Sequence, residues 1–350
     1  MNNESMSPIR VLVVDDSSLS SKMIVSLISS DPFLNVVGIA SNGREAVELV
    51  SKLKPDLITM DLKMPVMDGF EATKQIMAFN PTPILILSSS VFKDGMNLAF
   101  KALSYGALDV MDKSRIEVST DFIERIKILA RVKVIHHPMG KLEEMGIPKK
   151  HKTPKDLEGG KIVAIAASTG GPQALQVLLR LLPEDFPCGI VIVQHIAEGF
   201  AEGLAAWLDD DCQMRVKVAR EGEHIEPGVV YFAPTGFHTR VEIGGIIHLV
   251  NETTEYANHK PSGNILFESV AKVYGDQAIA VILTGMGKDG ADGLKRVKEA
   301  HGKIFAQDEA SSIIFGMPKA AIDLGIVDEV LPLNRIAETI LREVRYQGKM

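Results

Sequence analysis

IRVLVVDDSS, residues 9–18, is an apolar run that stops abruptly on two acids and two serines. A short segment rich in Val and Leu, closed by polar residues, reads as a buried strand. Working outward, similar runs recur at 36–40, 57–60, 84–87 and 108–111. Amphipathic segments separate them; Leu19, Met23 and Leu27 repeat at four-residue spacing and predict a first helix. Strand and helix alternating in this way predict a parallel, doubly wound sheet. In such a sheet, functional side chains are expected at the carboxyl ends of the strands.

A last helix of this unit is expected over 120–135. Residues 136–161 then lose the apolar period and fill with Lys, Pro and Gly, as in GIPKK and HKTPK, which reads as a linker. A second unit, 162–345, opens with the apolar run IVAIAA. Further buried strands are expected at 190–193, 279–283, 304–306 and 327–331, with helices at 175–182, 200–208, 265–274 and 291–300. The runs 229–232, 239–243 and 246–250 read differently. The Gly244-Gly245 pair between the last two predicts a hairpin, so all three are assigned to an antiparallel insertion. The expected fold class is α/β: two doubly wound α/β domains, the first a five-stranded parallel sheet, the second a mostly parallel sheet with a small antiparallel hairpin.

The 350 residues fit two domains, and 46% hydrophobic with 24% charged residues is ordinary for a core-forming chain. No run reaches the roughly 18 apolar residues of a membrane-spanning helix. The start, MNNESMSPIR, carries no basic-then-apolar leader. With two Cys, at 188 and 212, a disulfide framework is not expected. A net charge of −7 argues against general nucleic-acid binding. A cytoplasmic location, no membrane insertion and a monomer are expected.

In the first unit, Asp15 and Asp16 follow the first strand and Asp61 follows the third, so three carboxylates converge. Their mutual repulsion is relieved by a divalent cation, and Mg²⁺ prefers such oxygen ligands. Ser88 ends the fourth strand and Lys113 lies just beyond the fifth. A hydroxyl, an ammonium and a metal around Asp61 make a phosphoryl site, with Asp61 as nucleophile. A lone strand-end Asp is more often a helix cap, but five such groups at the strand ends of one sheet point to a site. Residues 8–135 resemble a two-component receiver domain through VLVVDDS (11–17), ITMDLKMPVMDG (58–69), PILILSSS (83–90) and the Lys after YGALDVMD. The resemblance implies that Asp61 is the phosphoacceptor, that Asp15 and Asp16 with Asp61 hold Mg²⁺, that Ser88 is the switch hydroxyl and that Lys113 contacts phosphate. Receivers commonly have Pro after this Lys in a cis bond; here Ser114 follows, which predicts a trans peptide.

In the second unit, the first strand runs into Ser168-Thr169-Gly170-Gly171-Pro172 and then a helix. Ser168 is either a helix cap or a nucleophile beside free backbone N–H groups. The motif is neither GxSxG nor GxGxxG, so neither a hydrolase elbow of that kind nor a dinucleotide site is supported. His195 ends the next strand. The strand near 279–283 leads into TGMGKDG, which carries Asp289. Ser168, His195 and Asp289 make a nucleophile–base–orienter set. His259, Ser262 and Asn264 lie in the loop NHKPSGN; Ser262 reads as a helix-start residue and His259 as a groove or loop residue. His224 and His238 flank the antiparallel region, and no His/Cys spacing supports catalytic zinc.

Residues 162–345 resemble the methylesterase domain of the CheB family. AASTGGPQAL (166–175), IVIVQHI (190–196), EPGVVYFAP (226–234), ILTGMGKDGADG (282–293) and FGMPKAA (315–321) carry the match. The resemblance implies a protein-glutamate methylesterase and protein-glutamine glutaminase of chemotaxis. In it Ser168 attacks, His195 is the base and Asp289 orients it, with Thr169 and the backbone near Met286 as oxyanion donors. The family often has Asp where Asn264 stands, which touches a groove detail. The implied partners are methyl-accepting chemoreceptors as substrate and a chemotaxis histidine kinase as phosphodonor, with Mg²⁺ for the receiver and no cofactor for the esterase. The receiver is expected to cover the Ser168 mouth until Asp61 is phosphorylated. Two other readings stay open on the residues alone: a catalytically idle, phosphorylation-dependent binding module, and a hydrolase of another signalling array.

Overall fold

The structure, a computed structural model, describes residues 7–88, 93–116, 121–134, 160–252 and 259–345. The chain divides into two units, 1–145 and 146–350. The expected linker, 136–161, falls almost wholly outside the described residues.

The first unit alternates β1 (Ile9–Val14), α1 (Ser18–Ser29), β2 (Leu34–Ala40), α2 (Gly43–Leu53), β3 (Leu57–Asp61), α3 (Gly69–Phe79), β4 (Ile84–Ser88), α4 (Lys93–Ser104), β5 (Asp109–Asp112) and α5 (Asp121–Leu129). All pairings are parallel, in the order β2-β1-β3-β4-β5. β3 and β4 are buried along their whole length because helices cover both faces. The helices start on side-chain caps: Ser17 for α1, Asn42 for α2 and Asp68 for α3. α1 is where predicted, but its buried face is Ser21, Ile24 and Ile28, while Leu19 is 79% exposed. The Leu19–Met23–Leu27 row lies about one position off the core-facing stripe, so the helical period holds while its phase is shifted. α5 ends at Leu129, short of the predicted 135.

The second unit runs β6 (Ile162–Ala167), α6 (Gly171–Arg180), β7 (Ile190–Gln194), α7 (Ala201–Asp211), β8 (Arg215–Val218), β9 (Val229–Phe232), β10 (His238–Glu242), β11 (Ile246–Val250), α8 (Gly263–Tyr274), β12 (Ala278–Ile282), α9 (Ala291–Glu299), β13 (Lys303–Gln307), α10 (Met317–Asp323), β14 (Glu329–Leu331) and α11 (Leu333–Arg345). Seven strands form one parallel sheet, β14-β13-β12-β6-β7-β9-β8. β6, β7 and β12 are completely buried at its centre. The β10–β11 pair is antiparallel and is joined by three residues, Ile243, Gly244 and Gly245; the two glycines take φ of 86° and 71°, the left-handed backbone that favours glycine. The third run assigned to that insertion, 229–232, is instead β9, a parallel member of the large sheet between β7 and β8. Its nearness in sequence to the hairpin is misleading; β8, a short strand with Arg215 and Lys217 in it, carries too little apolar signal to announce a pairing partner.

Cys188 and Cys212 are free and buried, and burial pushes both thiols up to about 12. Among the described residues, no helix is long and apolar enough to cross a membrane.

Candidate active site

Each sheet reverses its winding at one place. In the first unit the switch falls between β1 and β3; in the second, between β6 and β12. The chemistry-bearing residues gather at the carboxyl ends of those strands, where the diverging connections leave a crevice.

In the first unit, Lys113 Nζ sits 2.6 Å from Asp15 Oδ2 and 2.7 Å from Asp61 Oδ2. Asp15 also accepts from Ser20 Oγ at 2.7 Å and from the Ser17 N–H at 3.0 Å. The Leu62 N–H donates to Asp61 Oδ1 at 2.7 Å. Burial pushes the Asp61 carboxyl above its usual range; Lys113 pulls it down, and Asp15 adds repulsion. Asp15, Asp16 and Asp61 offer oxygens within 4.8 Å of one another. An all-oxygen set with Asp16 exposed to solvent suits a hard divalent cation that keeps some of its waters. Ser88 is buried at the end of β4, in register with Asp112, next to Lys113. The Lys113–Ser114 peptide is trans; Lys260–Pro261 is the cis peptide among the described residues. Gly69 has no room for a side chain, since a Cβ there would lie 1.9 Å from the Asp61 carbonyl oxygen.

In the second unit, Ser168 follows β6 and is 4% exposed. Its N–H donates to Thr284 O at 3.0 Å, and its carbonyl accepts from the Gly171 N–H at 2.8 Å. Gly170 makes the strand-to-helix turn with φ of 78°, and Pro172 enters the first turn of α6. His195 continues β7, one step past the Ala167–Gln194 pair, and its N–H donates to Ala167 O at 3.0 Å. Ser168 and His195 are therefore neighbours at adjacent strand ends. The Gln194 carboxamide bridges them, donating to Ser168 O at 2.8 Å and His195 O at 2.9 Å.

His195 Nε2 lies 2.8 Å from Asp289 Oδ2. Its other nitrogen, Nδ1, is buried with no hydrogen-bond partner. The structure thus brings His195 and Asp289 into contact. It sets Ser168 at the adjacent strand end, with no hydrogen bond to the imidazole. The ring of His259 stacks on His195, with centroids 4.2 Å apart and planes 23° from parallel.

Asp289 is held from several sides. Ser262 Oγ donates to Oδ1 at 2.7 Å, the Gly263 N–H to Oδ2 at 2.6 Å and the Asn264 N–H to Oδ1 at 3.4 Å. These N–H groups open α8, so the carboxylate caps a helix distant in sequence and meets its positive end. Burial alone would raise the Asp289 carboxyl. The His195 hydrogen bond and attraction, with the bonds from Ser262 and Gly263, outweigh it and hold the group at about 2. Asn264 Oδ1 accepts from the Gly293 N–H at 2.9 Å, tying α8 to the start of α9.

The segment after β12 closes over Ser168. A Cβ on Gly285 would lie 2.8 Å from Ser168 Cβ and 2.3 Å from Met317 Sδ, so only glycine lets this backbone pass. Thr169 is 1% exposed, and its carbonyl accepts from Thr284 Oγ1 at 3.0 Å. Met286 is half-buried beside the crevice. His224 and His238 lie with the antiparallel strands; burial, then Lys260 and Arg240, lower the His238 imidazole and keep it neutral. Ser262 heads α8 as predicted, yet its hydroxyl serves Asp289 and not its own helix. Gln194 and Thr284 do not stand out in the sequence. The available signal is a polar residue closing an otherwise apolar strand.

Residues 163–340 match the family described as CheB methylesterase, and residues 11–121 that described as response regulator receiver domain. A relative from Halalkalibacterium halodurans named protein-glutamate methylesterase/protein-glutamine glutaminase is 42% identical over 349 residues, covering 97% of this chain and 99% of its own. One of the same name from Pyrococcus horikoshii is 39% identical, over 96% of this chain and 94% of its own. The solved CheB methylesterase catalytic domain of Thermotoga maritima is 40% identical, with a TM-score of 0.51, over 53% of this chain and 98% of that one.

Proposed function

Since the chain belongs to the CheB methylesterase family and carries a receiver domain ahead of its esterase unit, we propose that it hydrolyses glutamate γ-methyl esters, and deamidates glutamines, on chemoreceptor proteins, with Ser168 as nucleophile. The observation that carries this reading is the His195–Asp289 contact at 2.8 Å, beside the strand end that presents Ser168.

His195 Nδ1 takes the proton of Ser168 Oγ as the oxygen attacks the ester carbonyl carbon. Asp289, ionised across the neutral range, stabilises the imidazolium that forms. The carbonyl oxygen gains charge and is held by backbone N–H groups at Met286 and Thr169; one such donor is worth about 10²–10³ in rate. The C–O bond to the methoxy group breaks, and His195 returns its proton so that methanol leaves. Water then attacks the acyl-serine. His195 accepts its proton and passes it to Ser168 Oγ, and the glutamate carboxylate is released. A glutamine side chain follows the same course with ammonia as the leaving group.

In the receiver, Asp61 accepts the phosphoryl group from a histidine kinase or a small phosphodonor, and phosphorylation raises the esterase rate. Asp15, Asp16 and Asp61 would hold Mg²⁺, which offsets negative charge at the phosphoryl oxygens when bound. Lys113 contacts one phosphoryl oxygen, and Ser88 donates to another.

The test is release of radiolabelled methanol from methylated receptor, with and without acetyl phosphate. Release that rises with acetyl phosphate and vanishes in Ser168→Ala supports the reading. Release untouched by Ser168→Ala rejects the nucleophile; release indifferent to acetyl phosphate rejects the regulation.

A further inference from the structure

The carboxamide of Gln307 is completely buried at the end of β13, where an apolar side chain would be expected. A buried amide is tolerated only when its polar atoms are paired. Here both ends are used. Oε1 accepts from the Thr284 N–H at 2.8 Å, and Nε2 donates to Ser311 O at 2.7 Å. Backbone pairing between β12 and β13 ends at Ile282–Ala306. Thr284 lies just past that point, so the Gln307 side chain supplies the acceptor that the turning backbone of β13 no longer offers.

Thr284 is a junction. Its N–H is taken by Gln307, and its other polar atoms face the nucleophile or the segments around it. Its carbonyl accepts from the Ser168 N–H at 3.0 Å. Its hydroxyl accepts from the Ile314 N–H at 2.9 Å and has two acceptors in reach of its one proton, Thr169 O at 3.0 Å and Ile314 O at 3.2 Å. The following residue is strapped on both sides: the Gly285 N–H donates to Ile314 O at 3.0 Å, and Gly285 O accepts from the N–H groups of Gly316 at 3.1 Å and Met317 at 2.9 Å. Thr284 and Thr169 are each 1% exposed. Two backbone segments, one on each side of Ser168, are thereby locked to each other and to the 311–317 loop.

We propose that Thr284 and Gln307 are positioning residues for hydrolysis: together they hold the 284–287 backbone, and the peptides on either side of the one that carries the Thr169 N–H, in the register that presents N–H donors to the tetrahedral intermediate. This rests on the assignment of Ser168 as nucleophile and of Thr169 and Met286 as oxyanion donors. Neither residue touches substrate. Their effect is on the charged intermediate, which is the species sensitive to sub-ångström placement of donors.

The experiment uses the full chain with acetyl phosphate and methylated receptor; rates of variants that keep Ser168 are normalised to active sites titrated with a fluorophosphonate, and the rate of Ser168→Ala to moles of folded protein. Thr284→Val keeps shape and removes the hydroxyl; Thr284→Ser keeps the hydroxyl; Gln307→Leu removes both carboxamide bonds. The expected result is a fall in kcat of about tenfold or more for Thr284→Val and Gln307→Leu, with KM within roughly twofold, and recovery to near wild type in Thr284→Ser. Affinity for phenylboronic acid, which forms a tetrahedral adduct, should fall in parallel with kcat/KM. A merely structural role would reduce the titrated fraction and leave the rate per site and the boronate affinity unchanged; that result overturns the proposal. If Gln307→Leu fails to fold, the Thr284 pair decides alone. Ser168→Ala serves as a separate arm: full activity there removes the underlying reading, whereas loss there with an unchanged Thr284→Val removes only this inference.

Discussion

Ser262 Oγ donates to Asp289 Oδ1 at 2.7 Å while His195 Nε2 takes the other carboxylate oxygen at 2.8 Å. The second serine near the site thus has its hydroxyl proton engaged by the Asp289 carboxylate. Ser262→Ala should lower kcat by about ten- to a hundredfold, consistent with about 1.5–3 kcal/mol for a hydrogen bond to a charged group, and should not abolish turnover. Methanol release per titrated site checks this. Complete loss in Ser262→Ala, with activity kept in Ser168→Ala, would reverse the two assignments.

Asp289 also contributes to stability, with a definite pH signature. Its carboxyl stands at about 2 in the folded protein against an ordinary 3.8, so the folded state favours the ionised form. That contribution, about 2 kcal/mol, is fully present well above 3.8 and is lost as pH falls from there toward 2. The single Trp, Trp207 in α7, lets fluorescence report urea unfolding of the second unit in the intact chain. Asp289→Asn should be less stable than wild type at neutral pH, and the difference should close on acidification. A difference that stays constant from neutral pH down to about 2 would contradict the tethering.

Gly285 leaves no room for a side chain beside Ser168. A methyl group there meets Met317 Sδ and Ser168 Cβ, so Gly285→Ala must move one of them. Overpacking of this kind costs about 1–3 kcal/mol. The expected outcome is a modest drop in Tm and a large drop in kcat, because the serine is displaced. Unchanged kcat with a lowered Tm would show that Met317 yields alone.

On the receiver side, Asp61→Asn should take up no phosphoryl group from labelled acetyl phosphate. Chelation with EDTA should give the same result in wild type, and Asp16→Asn should raise the Mg²⁺ concentration needed. Phosphorylation that survives EDTA would exclude the carboxylate set at Asp15, Asp16 and Asp61 as a cation site. Incorporation into Asp61→Asn would move the acceptor elsewhere.

The alternation of buried runs with amphipathic segments makes both sheets legible, because parallel strands covered on both faces show up as unbroken apolar runs. The strand-end positions of Ser168 and His195, and the placing of Asp289 in the loop after a third strand, follow from the same logic. What stays hidden has a common cause. β9 resembles part of a hairpin because sequence shows what is near along the chain, not which edge a strand joins. The face of α1 is misphased because three residues at four-residue spacing do not define a stripe. The roles of Gln194, Ser262, Thr284 and Gln307 depend on hydrogen bonds across 23 to 115 residues of chain. A polar residue closing an apolar strand signals such a role without naming its partner.

The acid is separated from its imidazole by 94 residues, and the amide that steadies its loop comes 23 residues after Thr284. A chain emerging from the ribosome therefore stays inert through most of its synthesis. It gains a complete site only when nearly all of it has been made, so a copy that stops before Gln307 lacks the brace behind Ser168.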